Sequence, residues 1–475
     1  MGETWSALVA ARPAESVAIV DHDGRWTSGE LQRRAAAAAD WLDAAGPAPG
    51  HAVPALVGTE RDPFALLLAG AATGRPLAPL GPRLTAEEVA ACLRGLETDV
   101  LVAAPRFADA AGRVAEVAGC RVIPMPAFAA SDRPLPTPDP DAVAFVLHTS
   151  GTSGVPKAAW ARQDRMAARA RVNTSLVELG PDTVFTTASP FHHIAGLGML
   201  AVALASGSAV ACFPDFSVAA WKDVGRLGVT HAFVVPTMVE MLLAEGALGT
   251  GGLRLLQYGG APMHPDTLAR TLAELPDCRF VQLYGQTEGS PICCLDPDAH
   301  AAAAAGRTDL LRTVGRPAPG VTLRIDDPDG DGVGEVAARA PHFFRTDADG
   351  WLRTGDLGQI DDEGFVHLVG RRGDMIIRGG ENVHPLEVEL VLAQHPRVRE
   401  VVVLGVPDRR LGETVHAVVV ATDPAHPPAA EDLREHVRRQ LAGFKTPEAF
   451  EFVAELPRNQ QGKVLRRVLA ERRRR

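Results

Sequence analysis

The segment Thr149-Ser150-Gly151-Thr152-Ser153-Gly154-Val155-Pro156-Lys157 packs four hydroxyl side chains, two glycines and one cation into a short run. Hydroxyls and backbone N–H groups in such a loop can converge on an anion, glycines let the main chain approach phosphate, and Lys157 adds a mobile positive charge. It is not a Walker A loop, because Ala158 follows Lys157 and the glycine spacing differs. An ordinary Ser/Gly turn has the same composition, so the loop takes its meaning from what stands elsewhere in the chain. Tyr284-Gly285-Gln286-Thr287-Glu288 offers a ring that can stack on a flat base and a hard carboxylate oxygen that suits Mg²⁺. Core packing would also use such a tyrosine, but the chain has only two, Tyr258 and Tyr284, and both stand in these segments. In Tyr258-Gly259-Gly260-Ala261, two glycines would let a base lie against the backbone, and Gln282 could read its amino group. Asp356, in Arg353-Thr354-Gly355-Asp356, can accept two hydrogen bonds from a vicinal diol.

These residues need elements to hold them. Val143–Leu147, just before the hydroxyl-rich loop, reads as a strand, as do Asp99–Ala103, Thr230–Val235, Leu253–Gln257 and Phe280–Leu283. Leu31–Ala45 reads as a helix closing at Gly46, with Leu31, Ala35, Ala38 and Leu42 on one face. The Pro- and Asp-rich stretch Pro124–Pro140 reads as a surface connection. Strands alternating with helices predict an α/β architecture with largely parallel sheets. After Gly370 the pattern changes. Arg371-Arg372-Gly373-Asp374 is a polar break, followed by strand-like Val401–Leu404 and Val415–Val420 and a helix over Glu431–Leu441. The expected division is a large α/β unit over residues 1–372 and a small α+β unit over 373–475.

A chain of 475 residues is long enough for two or three packed units, and 46% apolar with 22% charged residues is a globular balance. A net charge of −10 argues against a nucleic-acid scaffold, and the basic run Arg472–Arg475 reads as a solvated tail. No apolar stretch is long enough to span a bilayer, and the N-terminus lacks the basic start and apolar core of a signal peptide. The six cysteines form no C-x-x-C pair, so free, mostly buried thiols in a reducing cytoplasm are expected.

Thr149–Lys157, Tyr284–Glu288, Arg353–Asp356, Gly370-Arg371 and Gly462-Lys463 match, in order, the motifs of the ANL superfamily of acyl-CoA synthetases, peptide-synthetase adenylation domains and luciferases. The resemblance runs from Pro13 to Arg467. It implies a large nucleotide- and acid-binding domain, a small mobile lid, and ATP-dependent conversion of a carboxylic acid to an acyl-adenylate. By this resemblance Thr149, Ser150, Gly151, Thr152, Ser153, Gly154 and Lys157 hold ATP phosphates. Gly259, Gly260, Ala261, Gln282, Tyr284, Gly285 and Gln286 are further ATP- or AMP-binding residues, with Tyr284 and Gln282 at the adenine. Thr287 contacts the α-phosphate, Glu288 holds Mg²⁺, Asp356 and Arg371 hold the ribose, and Lys463 is the catalytic lysine of the lid. Pro190–Gly196 resembles the border of the acid pocket, which would include His193, Gly196, Tyr258 and Ser290. Amino-acid-activating relatives carry an aspartate there. This segment has none, and an unpaired buried ammonium is costly, so the expected acid has no α-amino group.

Met375–Pro385 is similar to aryl-acid:CoA ligases, which would set Gly379 and Gly380 along the path of CoA. The implied sequence is adenylation followed by transfer to CoA. A carrier-protein thiol, an amine or a small inorganic nucleophile is the alternative acceptor, and a silent nucleotide-binding protein is the alternative of another class. Four departures from the family stand out. Gly373 occupies the hinge position usually held by Asp or Lys, Ala158 replaces a glycine, Pro341–Gly350 is short, and Cys293-Cys294 follow the Tyr284 motif, where they could line the acid pocket or be core.

Overall fold

The computed structural model describes residues 2–150, 156–213, 215–249, 251–263, 265–458 and 464–471. Two large sheets occupy its N-terminal part. In the six-stranded one, Val53–Leu56, Leu77–Leu80, Val100–Ala103, Arg121–Pro124 and Val143–Ser150 run parallel, and Pro156–Arg162 returns antiparallel along Val143–Ser150. In the nine-stranded one, a parallel centre that includes His231–Val234, Leu255–Gly259 and Arg279–Gln286 is closed by antiparallel edges. The parallel strands are apolar on both faces, as strands covered by helices on both sides must be: Val53–Leu56, Leu77–Leu80, Val100–Ala103 and His231–Val234 are buried throughout.

The helix read over Leu31–Ala45 spans Ser28–Ala45 and ends at Gly46. It begins one turn earlier because Thr27 and Glu30 form a reciprocal capping box. The apolar stretch after Met199 is a buried helix, Met199–Ala205, and a short strand, Ala209–Ala211, separated at Ser206–Ser208. Among the described residues no helix is long and apolar enough to cross a membrane. All six cysteines are free and buried.

One layer was not legible as parallel α/β. Residues 322–371 form a four-stranded antiparallel sheet ending in Leu352–Ile360 and Val366–Arg371. Beyond it, residues 376–452 build a five-stranded sheet containing Val398–Asp408 and Gly412–Ala421. Two apolar clusters in this region, one around Val388, Val415 and Leu433 and one around Val402, Val418 and Leu469, draw only on residues after Gly373. Its helix Pro385–Leu392 packs against Val366–Arg371. Arg466 anchors the C-terminal helix by a two-oxygen contact, 2.6 Å to each, with the buried carboxylate of Glu389.

Candidate active site

Three sheets meet at one place. The six-stranded sheet contributes the hairpin in which Thr149 pairs with Lys157; the Thr149 hydroxyl lies 3.4 Å from the Lys157 carbonyl. Residues 151–155, with Gly151, Thr152, Ser153 and Gly154, lie outside the described residues, and of Ser150 only the backbone is described. The nine-stranded sheet contributes a second hairpin. Arg279–Gln286 turns into Gly289–Leu295, so that Thr287 and Glu288 form its tip. The two hairpins share a cavity of about 140 Å³, lined by Thr149, Lys157, Trp160, Glu288, Phe344 and Arg345, among others. The Glu288 carbonyl accepts the Phe344 N–H at 2.7 Å and the Arg345 N–H at 3.3 Å, which fixes the loop opposite the cation.

The antiparallel sheet supplies Asp356 and Arg371, which stand directly across from each other on neighbouring strands. Arg371 Nε donates to Asp356 Oδ1 at 2.8 Å, and the Tyr284 hydroxyl donates to Oδ2 at 2.7 Å. Burial first, and then the Asp356 charge, push the Tyr284 phenol well above its ordinary range, so it remains a donor. Gly259 ends its strand in register with Leu283, which brings the exposed Gly260 and Ala261 to the same end of the sheet as Tyr284. Gly285 and Gln286 continue from Tyr284 into the hairpin tip.

Tyr258 is a correction. Its ring is fully buried in the second core cluster, on the helix-covered side of the sheet. Its hydroxyl lies 2.9 Å from His300 Nε2 and 3.4 Å from Gln282 Oε1. His300 Nδ1 is 2.7 Å from the Asp296 carbonyl, so Nε2 is the acceptor for Tyr258. The ring therefore belongs to the core rather than to an acid pocket, and Gln282 shares that buried network. Cys293 and Cys294 are also core residues, with thiols raised by burial.

His193 and Gly196 bracket a sharp change of backbone. His193 precedes a five-residue π-helix, Ile194–Gly198, a form that recurs at functional sites. A Cβ at Gly196 would sit 1.9 Å from the Pro190 carbonyl oxygen, so only glycine fits there. His192 and His193 have ring centroids 4.0 Å apart, tilted by 53°, and burial lowers His193 to about 4. Ser290 is half-buried at the start of Gly289–Leu295.

Gly379 and Gly380 join the strands Ile376–Arg378 and Glu381–Val383 with φ of +62° and +90°. Two consecutive left-handed residues make a tight hairpin turn that favours glycine whatever passes beside it. Gly373 is exposed, and nothing lies within 4 Å of a Cβ built on it. Gly462 and Lys463 lie outside the described residues, as does Arg472–Arg475. Among the described residues no cluster of three or more His, Cys, Asp or Glu could hold a metal. Glu288 is instead a single carboxylate in the cavity that Thr149 and Lys157 also line, a hard oxygen that fits Mg²⁺ arriving on a nucleotide.

Sequence reading missed Phe344, Arg345 and Trp160 in the cavity wall. Phe344 and Arg345 lie in the shortened stretch Pro341–Gly350, and that departure was the available signal.

The chain belongs to the AMP-binding enzymes: the model of that family matches residues 6–346, and the model of the AMP-binding enzyme C-terminal domain matches residues 387–463. It is 35% identical over 480 residues to the fatty acid–[acyl-carrier-protein] ligase ScoC of Streptomyces coeruleorubidus, covering 93% of this chain and 91% of the relative. It is 34% identical over 483 residues to a feruloyl-CoA synthase of an Amycolatopsis species, covering 96% of each. The amide bond synthetase McbA of Marinactinospora thermotolerans is a structural neighbour with a TM-score of 0.88 and 30% identity, covering 98% of both chains.

Proposed function

We propose that this protein joins a carboxylic acid to AMP, releasing pyrophosphate, and then passes the acyl group to the thiol of CoA. The observation that carries the reading is the convergence of Thr149, Lys157 and Glu288 on one cavity, with the Tyr284–Asp356–Arg371 triad beside it. In the first step a carboxylate oxygen of the acid attacks the α-phosphorus of ATP. The new acyl–O–P bond forms as the bond to the β-phosphate oxygen breaks, and pyrophosphate leaves. Lys157 holds phosphate charge, Asp356 and Arg371 hold the sugar, and Lys463 bridges acid and α-phosphate where negative charge grows. Mg²⁺ held by Glu288 and the phosphates would neutralise charge on the nucleotide. Lys463 arrives from a separate C-terminal unit, residues 373–475, so closure assembles the site only around bound substrates. In the second step the thiol sulfur attacks the acyl carbon, AMP leaves and the thiol proton is lost, with Gly379-Gly380 along the thiol's approach.

The named relatives differ in acceptor: a carrier protein, CoA, and the partner in an amide bond. That spread favours one second reading, the same adenylation followed by a carrier-protein thiol or an amine. Pyrophosphate release with a panel of acids tests the first step, and CoA-dependent loss of the accumulated adenylate tests the second. No pyrophosphate with any acid would refute adenylation. An adenylate that survives CoA but is consumed by a carrier protein or an amine would refute only the acceptor.

A further inference from the structure

Arg169 lies on the helix Gln163–Leu176, which directly follows the strand that carries Lys157. Three arginines on this helix meet different fates. Arg165 donates to the Pro341 carbonyl at 2.6 Å, and Arg171 forms a two-bond pair with Glu3 at 2.6 Å each. Arg169 is 2% exposed, and its Nε and Nη1 have no hydrogen-bond partner. Among the described residues its one polar contact is Nη2 to the Met199 sulfur at 3.9 Å, and sulfur is a weak acceptor. Among the described residues no carboxylate lies within ion-pair distance of it.

Two neighbours of this guanidinium, Met199 and Phe344, belong to segments that border the site. Met199 is the first residue after the π-helix that His193 introduces. On the other side the guanidinium carbon stands 5.8 Å from the ring centre of Phe344, the residue that lines the cavity with Glu288 and Lys157. Burial lowers this arginine to about 10, which still leaves it a cation at neutral pH. Guanidinium donates five N–H bonds in a rigid fork and accepts none, so a buried, unpaired one is costly until an oxyanion meets it. Carboxylate matches the fork with two parallel bonds. Asn173, one turn further along the same face, is fully buried and donates to the Arg169 carbonyl at 2.9 Å, while its Oδ1 has no partner.

Resting on the adenylation reading, we infer that Arg169 holds a second carboxylate at the far end of the acid substrate, so that the preferred acids are dicarboxylates rather than apolar monoacids. Matched pairs test this on the full chain: butanoate against succinate, hexanoate against adipate, and 4-methylbenzoate against terephthalate, each followed by pyrophosphate release. The wild-type protein should favour the dicarboxylate of at least one pair in kcat/KM by about tenfold or more. In Arg169→Met the dicarboxylate-to-monoacid ratio of that pair should fall by about 100-fold, and Arg169→Lys, which keeps charge but not the fork, should fall in between. Methionine of similar length in place of a buried cation is commonly tolerated by the fold, and a thermal melt checks this. A wild-type protein that turns over the monoacids as well as or better than every dicarboxylate overturns the inference, and needs no variant. An unchanged ratio in a folded Arg169→Met protein does the same. If no acid in either set releases pyrophosphate while another acid of the wider panel does, adenylation stands and the inference is overturned; if the whole panel is silent, adenylation fails and the inference falls with it.

Discussion

The hydroxyl of Tyr284 donates to Asp356 across the boundary between two sheets, at 2.7 Å. Arg371 occupies the other carboxylate oxygen at 2.8 Å. Neither motif alone specifies this bond, since Tyr284 stands on a strand of the nine-stranded sheet and Asp356 on the antiparallel one. It orients the carboxylate before any ligand arrives, and it ties the Tyr284 ring to the Asp356 acid.

Tyr284→Phe keeps the ring and deletes that bond. One neutral donor to a charged acceptor is worth about 1–2 kcal/mol, so the KM for ATP should rise by about 5- to 30-fold with kcat changed by less than about threefold. Asp356→Ala removes the acceptor itself and should cost about 100-fold in kcat/KM for ATP. Initial rates of pyrophosphate release at varied ATP measure both. An unchanged KM in Tyr284→Phe would mean that Asp356 is oriented well enough by Arg371 alone.

The strands that carry the motifs were legible because their apolar runs are short and bounded, and Leu31–Ala45 was legible from its face of Leu and Ala. Tyr258 was misplaced because a tyrosine before two glycines looks like a binding residue, whereas period-two alternation on Leu255–Gly259 turns it to the side of Leu256 and His300. The antiparallel layer at 322–371 was missed because its strands alternate weakly: Thr322–Asp326 has no fully buried position. Arg169 was legible in principle. Gln163, Met166, Ala170 and Asn173 mark the buried face at helical spacing, and Arg169 lies three residues beyond Met166 on that face. A cation there breaks the pattern, and pattern breaks are where function is found.

His193 offers a pH test with a definite sign. Burial holds its folded-state pKa at about 4, below the value of about 6.5 expected for an unfolded chain. The imidazole is therefore neutral through the physiological range, and the acid kcat/KM should show no limb near pH 6.5 that disappears in His193→Asn. For stability, the unfolded chain takes up the proton first as pH falls. Stability is thus lost between about pH 6.5 and 4, by about 3 kcal/mol from this group, and the loss levels off below. Thermal melts across that window should show a shallower decline in His193→Asn than in the wild type.

Lys463 separates the half-reactions. In the proposed mechanism it stabilises charge on the α-phosphate only while the adenylate forms. Lys463→Ala should slow adenylation by about 100- to 1,000-fold, and leave thioester formation from supplied acyl-adenylate within about threefold. Single-turnover measurement of each step distinguishes this from a structural role, which would slow both alike.

Gly373 tests whether the C-terminal unit must turn. It sits in the exposed turn Arg371–Asp374, closed by the Asp374 N–H to the Arg371 carbonyl at 3.0 Å. On one side Arg371 holds Asp356, and on the other Asp374 reaches Arg466 at 3.8 Å. The turn therefore joins Asp356 to the helix that follows Lys463 in the chain. Since nothing lies within 4 Å of a Cβ at this position, Gly373→Ala should change stability by less than about 0.5 kcal/mol and keep both steps. Proline fixes φ near about −65° and disfavours a helical conformation at the residue before it, so the backbone rotation a hinge needs is restricted. Gly373→Pro should then retain much of the adenylation rate and lose thioester formation by at least about 100-fold. If the proline variant melts like the wild type and carries out both steps unchanged, the C-terminal unit does not pivot at this turn. A loss confined to thioester formation would locate the pivot between the two strands that Arg371 and Ile376 belong to.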